Sequence, residues 1–344
     1  MFRSQKPLTA VTFAVLAGVV LAGCTTTADS TSPDSETTAG EAATITLYTS
    51  EPQEKIDEII TAFNDKQPNI AVEVFRAGTG NLTARIEAER AAGEIQADIL
   101  LAADAPTFES YAADDLLLEY ESSEAANINQ DVVDPEGFYV GTRIIPTVIA
   151  YNTGLVDTPP TSWQELADPQ WADKIVMPNP DVSGAAAFNA AVWYNDDDLG
   201  KDWLKKLAAN NPIIVDSNGP TSQAIATGTQ PVGAVVDYLV RELAAAGSPI
   251  DVSYPSDGVP YVSQPAGIFA NTDEPAAAKL FIDFLLSTEG QKLAVAQSYL
   301  PVRNDAGTPA GAPPMDEIHL LTPDLTTISE TRAEAVAYFN DLIG

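Results

Sequence analysis

The residues best suited to bind an anion lie in one strand–loop–helix segment, residues 174–195. Residues 175–177 form a short apolar run that predicts a buried parallel strand, and the prolines after it end that strand. Ser183 and Gly184 then open a predicted helix rich in alanine. Its unpaired first-turn N–H groups and its dipole concentrate positive charge at this end. The segment is therefore either an ordinary helix start capped by Ser183 or a site for an oxyanion.

Other polar side chains follow other predicted strands. Strands alternate with helices along the chain, which predicts an α/β fold with parallel sheets and ligands beyond the carboxyl ends of the strands. The candidate residues at these ends are Ser50, Thr79, Gly80, Asn81 and Asp104 in the first half, and Ser183, Asn218, Asp237 and Tyr238 in the second. Both aspartates are also explained as loop caps, because aspartate is common at turns.

Three four-residue patterns predict the starts of further helices. They begin at Ser50, Ser162 and Thr288, and each places Glu or Gln three residues after Ser or Thr, as in a capping box. The first of them precedes an apolar stripe at residues 56–63 with helical spacing.

The amino terminus is typical of an exported protein. Residues 1–23 combine Arg3 and Lys6 with a short apolar run, which predicts a signal peptide. The run ends in Leu-Ala-Gly before Cys24, the only cysteine, a pattern typical of a bacterial lipobox. We expect cleavage before Cys24, lipidation of its sulfur, and a disordered tether over residues 24–43. The protein is then expected on the extracytoplasmic face of the cell membrane, attached by its lipid anchor only.

The formal net charge of −32 makes nucleic acid and anionic lipid poor partners. The charge has two explanations, solubility in a salty exterior and attraction of cationic solutes.

Sequence signatures of an enzyme are missing. The chain contains no Gly-x-Ser-x-Gly elbow, no Walker loop and no zinc-type spacing. His319 is the only histidine and is interpreted as a surface residue in the tail. The sequence therefore predicts a protein that is not an enzyme and that has no cofactor.

Several stretches resemble the ferric-iron-type (family 1) extracellular solute-binding proteins of ABC importers. The most specific are TSWQELADPQWADKIVMPNPDVSG at residues 161–184 and AKLFIDFLLSTEGQKLAVAQSYLPVRND at residues 278–305. The resemblance covers about residues 44–306. It implies a two-lobed fold of the type II periplasmic-binding-protein class, with two crossovers and a ligand cleft between the lobes.

The lobe boundaries follow from placing the crossovers in residues 138–151 and 258–269. Lobe I is then predicted over residues 44–144 and 268–318. Lobe II is predicted over residues 145–267 and 319–344. A monomer that docks on an importer permease is the expected working form.

The resemblance also bears on the ligand. In the family, iron is held by a histidine, a glutamate and two tyrosines, and here these positions match Pro52, Ala103, Tyr238 and Leu239. Only Tyr238 could ligate iron. The family's anion-binding positions match Ser183, Gly184, Ala185 and Asn218.

The resemblance therefore implies a small oxyanion-bearing solute, a phosphonate or phosphate ester, with Asp104 or Asp237 pairing with an amine on it. The alternative is ferric iron or a ferric chelate. An enzyme or a solute sensor on the same fold is a third possibility.

Overall fold

The computed structural model describes residues 42–343. The predicted signal peptide, Cys24 and nearly all of the predicted tether lie outside the described residues. The strands are β1 Ala43–Thr49, β2 Ile70–Arg76, β3 Ile99–Leu101, β4 Tyr139–Gly141, β5 Ile145–Asn152, β6 Ile175–Pro178, β7 Ile213–Val215, β8 Val232–Val236, β9 Ile250–Ser253, β10 Tyr261–Val262 and β11 Pro265–Ile268.

The α-helices alternate with these strands. They are α1 Gln53–Lys66, α2 Thr79–Ala92, α3 Ala105–Ala113, α4 Trp163–Leu166, α5 Gly184–Asn195, α6 Gly200–Ala209, α7 Asn218–Ala226, α8 Asp237–Ala245, α9 Pro275–Leu286, α10 Thr288–Ala296 and α11 Leu325–Ile343. Short 3₁₀ turns occupy Ala125–Asn127, Gln130–Val132, Pro169–Trp171 and Met315–Glu317.

The strands form two sheets that are mixed rather than purely parallel. The first has the order β2-β1-β3-β11-β4, and the second has the order β10-β5-β8-β6-β7 with β9 also paired to β5. The βαβ units give parallel pairs such as β1 with β2 and β6 with β8. By contrast, β5 and β11 run antiparallel to their neighbours. The prediction of parallel sheets is wrong for β5 and β11, because each enters its sheet from the other sheet and not from a βαβ crossover.

Two crossovers connect the sheets. The first lies between β4 and β5, and the second lies between β10 and β11. Both fall inside the segments predicted from the sequence. The backbones of the crossovers are joined, since the N–H groups of Thr142 and Arg143 both donate to the carbonyl of Ser263, at 3.0 and 3.2 Å. The residue boundaries of the two lobes remain a prediction.

Both faces of each sheet are covered by apolar side chains. One face of the first sheet packs on α1 and α9 through Ile56, Phe63 and Phe281. The second sheet packs on a tryptophan group, in which the ring of Trp193 lies 5.0 Å from that of Trp163 and 5.4 Å from that of Trp203. These layers hold the strand ends in place.

The three predicted capping boxes had different outcomes. Ser162 caps α4 as predicted, with its Oγ accepting from the N–H of Glu165 at 3.1 Å. The cap of α10 is Ser287, one residue before the predicted Thr288. The box at Ser50 is wrong, because α1 begins after Pro52 with no side-chain cap. The Ser50 hydroxyl instead accepts from the N–H of Ala103 at 3.3 Å.

Candidate functional site

A cavity of about 360 Å³ lies between the two sheets. Both sheets and the second crossover contribute to its wall. The lining residues are Ser50, Glu51, Pro52, Arg76, Gly78, Thr79, Ala103, Ile145, Val182, Ser183, Gly184, Ala185, Ser217, Asn218, Gly219, Val236, Tyr238, Leu239, Val262, Gln264 and Tyr299.

Five helices begin at this cavity. The residues that precede the first turns of α1, α2, α5, α7 and α8 all line it, and they are Pro52, Gly78, Ser183, Ser217 and Val236. Only α5 has a side-chain cap, formed by the Ser183 hydroxyl and the N–H of Ala186 at 3.3 Å. The other four lack one, although α1 has Glu54 and α8 has Asp237 in the first turn. Helix starts concentrate partial positive charge, so this cavity favours an anion.

Hydrogen bonds connect three of these helix starts. The Asn218 amide donates to the Ser183 hydroxyl at 2.9 Å. The side-chain oxygen Oδ1 of Asn218 accepts from the backbone N–H of Val236 at 3.3 Å. Ser183 thus caps its helix and also joins a polar group on the cavity wall, so the two interpretations of this segment are compatible.

Two glycines, Gly80 and Gly184, lie where the two sides of the cavity come into contact. The N–H of Gly80 donates to the carbonyl of Val182 at 3.3 Å. A Cβ on Gly184 would lie 2.5 Å from the Ala103 carbonyl oxygen and 2.8 Å from the Thr79 hydroxyl. A Cβ on Gly80 would lie 2.1 Å from the carbonyl oxygen of Asp181. Glycine is required at both positions because the backbones approach each other so closely.

The charged lining residues are one arginine and one glutamate. The Nε of Arg76 donates to the backbone carbonyl of Glu51 at 3.1 Å. The Glu51 carboxylate is 1% exposed and accepts from the Tyr299 hydroxyl and the Gln264 amide, both at 2.7 Å. Arg143, 2% exposed, places Nη1 3.3 Å from Oε1 of Glu51, an ion pair without hydrogen-bond geometry. Because the charge of Arg143 offsets that of Glu51, the charge of Arg76 makes the net charge of the wall positive.

Burial keeps the two tyrosines of this wall in the phenol form. Desolvation raises the pKa of Tyr238, and desolvation together with the Glu51 carboxylate raises the pKa of Tyr299 well above its ordinary value. Their rings lie 4.5 Å apart. Both hydroxyls therefore keep their protons, and Tyr299 donates its proton to Glu51.

The structure brings together seven of the predicted site residues on the cavity wall. They are Ser50, Thr79, Ser183, Gly184, Ala185, Asn218 and Tyr238. Four others do not line it, namely Gly80, Asn81, Asp104 and Asp237. Gly80 makes the contact described above, and Asn81 is exposed on α2.

The two aspartates that were predicted to pair with an amine have protein partners instead. Asp104 is 0% exposed and lies 2.8 Å from Nη2 of Arg332 on α11. Asp237 accepts from Arg241 at 3.0 and 3.2 Å and from the Tyr254 hydroxyl at 3.1 Å. Desolvation raises the pKa of both carboxyls, although each arginine opposes the shift. Asp104 stands at the N-cap position of α3, where its carboxylate accepts from the Thr107 hydroxyl, and Asp237 lies in the first turn of α8.

The positions that match the iron ligands of the family lie where the resemblance implies. Pro52, Ala103, Tyr238 and Leu239 all line the cavity. Of these four side chains, only Tyr238 has an oxygen that could ligate a hard cation. Within residues 42–343, no group of three or more His, Cys, Asp and Glu side chains is arranged to hold a metal ion. His319 is exposed, as predicted.

The lining residues that were not predicted from the sequence include Glu51, Arg76, Gln264 and Tyr299. Arg76 is the last residue of β2, so the search for polar residues at the carboxyl ends of strands could have identified it. Glu51 was overlooked because residues 50–53 were interpreted as a capping box. Gln264 and Tyr299 come from the second crossover and the segment after α10, where no local pattern indicates a site.

No helix within residues 42–343 combines the length and the apolarity needed to cross a bilayer.

Comparison with known proteins identifies the family. The profile of the bacterial extracellular solute-binding proteins matches residues 94–324. A periplasmic protein of Salmonella typhimurium, whose name provisionally assigns it to 2-aminoethylphosphonate binding, is 28% identical over 258 residues, covering 70% of this chain and 72% of that protein.

Two solved structures share the fold. The periplasmic binding protein AfuA from Actinobacillus pleuropneumoniae, with fructose-6-phosphate bound, has a TM-score of 0.79 at 23% identity and covers 88% of this chain and 98% of its own. Iron-bound HitA from Pseudomonas aeruginosa has a TM-score of 0.77 at 25% identity, with 87% and 99% covered. The fold is that of the type II periplasmic binding proteins, and the family consists of solute-binding proteins rather than enzymes. The chain belongs to the bacterial extracellular solute-binding proteins, the substrate-binding components of ABC importers.

Proposed function

We propose that this protein captures a small solute with an oxyanion, a phosphonate or a phosphate ester, and presents it to an importer permease. The observation that supports the proposal is the convergence of five helix starts on one cavity, whose lining within residues 42–343 includes one cation, Arg76. The Ser183–Asn218 pair and the first-turn N–H groups of α5 and α7 supply hydrogen bonds to the oxyanion. Arg76 supplies the positive charge.

Closure of the two lobes completes the site in this proposal. Thr79 and Ala103 on one side contact Gly184 on the other, so the oxyanion is enclosed only when these surfaces meet. The closed form is then the one that docks on the permease, as ligand binding shifts the population of lobe arrangements toward it. The predicted lipid at Cys24 would keep the protein beside its importer.

The second candidate is ferric iron or a ferric chelate. Tyr238 favours it, because its phenol lines the cavity at the position of an iron ligand. Pro52, Ala103 and Leu239 offer no ligand atom in their side chains, so a chelator would have to supply the missing oxygens.

A thermal-shift panel on residues 25–344 separates the two candidates. Inorganic phosphate, 2-aminoethylphosphonate and sugar phosphates are compared with ferric citrate and ferric phosphate. A ligand present at 100 times its dissociation constant stabilises by about 2.7 kcal/mol, which raises the melting temperature by a few degrees. We expect shifts with phosphonates or phosphate esters, and a shift with ferric salts alone would overturn the proposal.

A further inference from the structure

One lysine lies where helices from the two sheets come together. Lys55 is on α1, whose apolar face packs into the core of the first sheet through Ile56 and Phe63. Its Nζ lies 2.6 Å from Oε1 of Glu242 on α8, a helix that packs against β5 and β9 of the second sheet. This ion pair therefore connects the two sides of the cavity.

The amine of Lys55 is oriented from its own side of the cavity. Its Nζ donates to the backbone carbonyl of Gln297, which follows α10. The Gln297 amide donates in return to the backbone carbonyl of Lys55 and to Oε2 of Glu58, both at 2.9 Å. The helix α10 itself packs on α1 and α9. None of these bonds involves α8, so they can persist when α8 moves away.

Two tyrosine rings of the cavity wall lie against the same ammonium group. Nζ of Lys55 is 4.4 Å from the ring centroid of Tyr299 and 4.6 Å from that of Tyr238. The attraction between a cation and an aromatic ring adds to that of the ion pair. Glu242 lies one turn after Tyr238 on α8, so the two side chains share a face of that helix. Separation of α8 from α1 would therefore break both of these contacts with Lys55 together.

The surroundings of Lys55 do not suit it to bind the solute directly. It does not line the cavity, and the Glu242 carboxylate offsets its charge. The guanidinium of Arg143 also lies 4.7 Å from the Tyr299 centroid, and it is paired with Glu51. The amine therefore connects two helices and is not a further partner for the oxyanion.

We propose that Lys55 is a positioning residue that latches the closed form, because it contacts Glu242 and the Tyr238 ring only when the two sides of the cavity meet. The inference rests on the proposed function in one respect, that closure captures the solute. It does not depend on the chemistry of the solute, since no contact of Lys55 involves it. The side chains of Lys55 and Glu242 are 13% and 36% exposed, so water can hydrate both charges once they separate.

Stopped-flow binding kinetics of the Lys55→Met variant test the latch. The probes are inorganic phosphate, 2-aminoethylphosphonate, glucose 6-phosphate and ferric citrate, and each probe that binds the wild type is used. Loss of a partly exposed ion pair and a cation–π contact should raise the dissociation constant roughly 5- to 30-fold. The change should lie in the dissociation rate and not in the association rate, because the latch forms after the solute has entered.

The Glu242→Gln variant separates a latch from a simple effect of charge. If Lys55 only attracted an anionic solute, removing the opposing charge of Glu242 would strengthen binding. The latch predicts the opposite result, a faster dissociation in Glu242→Gln as well as in Lys55→Met. The double variant should dissociate no faster than Lys55→Met alone, since both substitutions remove the same ion pair.

A matched control is available on the same helix. Nζ of Lys66, near the end of α1, lies 2.9 Å from Oε2 of Glu289 on α10, so this ion pair does not involve α8. The Lys66→Met variant removes the same charge from α1 and should leave the dissociation rate within about twofold of the wild-type rate.

Distances between spin labels report closure directly. Residues 25–344 contain no cysteine, so the exposed positions Asp65 on α1 and Ala245 on α8 can be labelled selectively after Asp65→Cys and Ala245→Cys substitution. Double electron–electron resonance is recorded without a probe and at a saturating concentration. We expect the shorter of the distances to be less populated in Lys55→Met than in the wild type in at least one of these two states.

Two results would overturn the latch and leave the proposed function standing. They are an unchanged dissociation rate in Lys55→Met and a slower dissociation in Glu242→Gln. The second needs only the partly exposed Glu242, so a Lys55→Met variant that fails to fold does not protect the inference. If none of the probes binds the wild type, the proposed function fails. The spin-label distances then decide, and equal distributions in wild type and Lys55→Met would overturn the latch as well.

Discussion

Individual residues decide how closely the two sides of the cavity can approach. Gly184 contacts Ala103 and Thr79 across the cavity, whereas Gly219, also in the first turn of a lining helix, has open space around its Cα. The sequence placed Gly184 at the start of a helix, but it could not show that the opposite lobe approaches it there. That partner is more than 80 residues away in the chain, so only the fold brings them together.

Replacing Gly184 with alanine should weaken ligand binding. The added Cβ would lie 2.5 Å from the Ala103 carbonyl oxygen, which opposes closure. Overpacking of this kind costs about 1–3 kcal/mol, equivalent to a roughly 5- to 150-fold higher dissociation constant. Calorimetry with the best ligand of the thermal-shift panel measures it. Gly219→Ala should have a smaller effect, and an equal loss in both variants would show that closure at Gly184 is not the cause.

Asp237 shows which of its contacts could be predicted from the sequence. The sequence predicted that this aspartate follows a strand, and it does follow β8 directly. Its partner Arg241 lies one turn further along α8, a spacing that the sequence already contains. The helical pair was therefore predictable, but the bond from Tyr254 to the same carboxylate, and its burial, depend on the fold.

The Asp237→Asn variant should lose stability rather than affinity. Removing one partner of a buried ion pair leaves the other unpaired, which typically costs about 3 kcal/mol or more. The free energy of unfolding should fall by about this amount in urea denaturation. Asp157→Asn, at an exposed position, is the control and should change it by less than about 0.5 kcal/mol. A large loss of affinity without loss of stability would restore Asp237 as a ligand-binding residue.

At the scale of elements, the helix starts were the most predictable part of the site. The strand–loop–helix at residues 174–195 is present as β6 and α5, with Ser183 as the cap. The placement of α11 was not predictable. Its helical pattern does not indicate which surface it covers, and in the structure it packs on α5, α3 and α6. Through Arg332 this helix reaches Asp104, which follows β3 of the first sheet.

The contact between α11 and Asp104 should produce a specific pH dependence. Desolvation raises the pKa of Asp104 above its ordinary value of 3.8. A carboxyl with a raised pKa in the folded state contributes stability below the unfolded pKa, and this contribution is lost as the pH rises through the folded pKa. The difference in free energy of unfolding between wild type and Asp104→Asn should therefore be most favourable to the wild type at low pH.

Chemical denaturation of both proteins across acidic pH measures this difference. Taking the difference cancels the titration of the many other carboxyls, which both proteins share. If the wild-type advantage grows with rising pH instead, attraction to Arg332 outweighs desolvation at Asp104. Arg332→Gln should then remove that growth.

At the scale of the whole molecule, the two-sheet architecture and both crossovers followed from the resemblance and from the extended runs near residues 138–151 and 258–269. The direction of β5 and β11 did not, because hydrophobic periodicity shows that a strand exists but not which way it runs. The charge of −32 was visible from composition alone, yet its role depends on where those charges lie. The oxyanion site that we propose would, in so acidic a protein, have to be favoured locally by helix starts and by Arg76.

The excess negative charge should make stability depend on ionic strength. Self-repulsion among surface carboxylates destabilises the compact state. Raising monovalent salt from about 0.01 M to about 0.15 M shortens the Debye length from about 30 Å to about 8 Å, so the melting temperature should rise. Sodium chloride and potassium chloride should act alike, because screening depends on ionic strength and not on the identity of the cation. Stabilisation by millimolar calcium well beyond its ionic strength would instead favour the second explanation of the charge, attraction of specific cations to this surface.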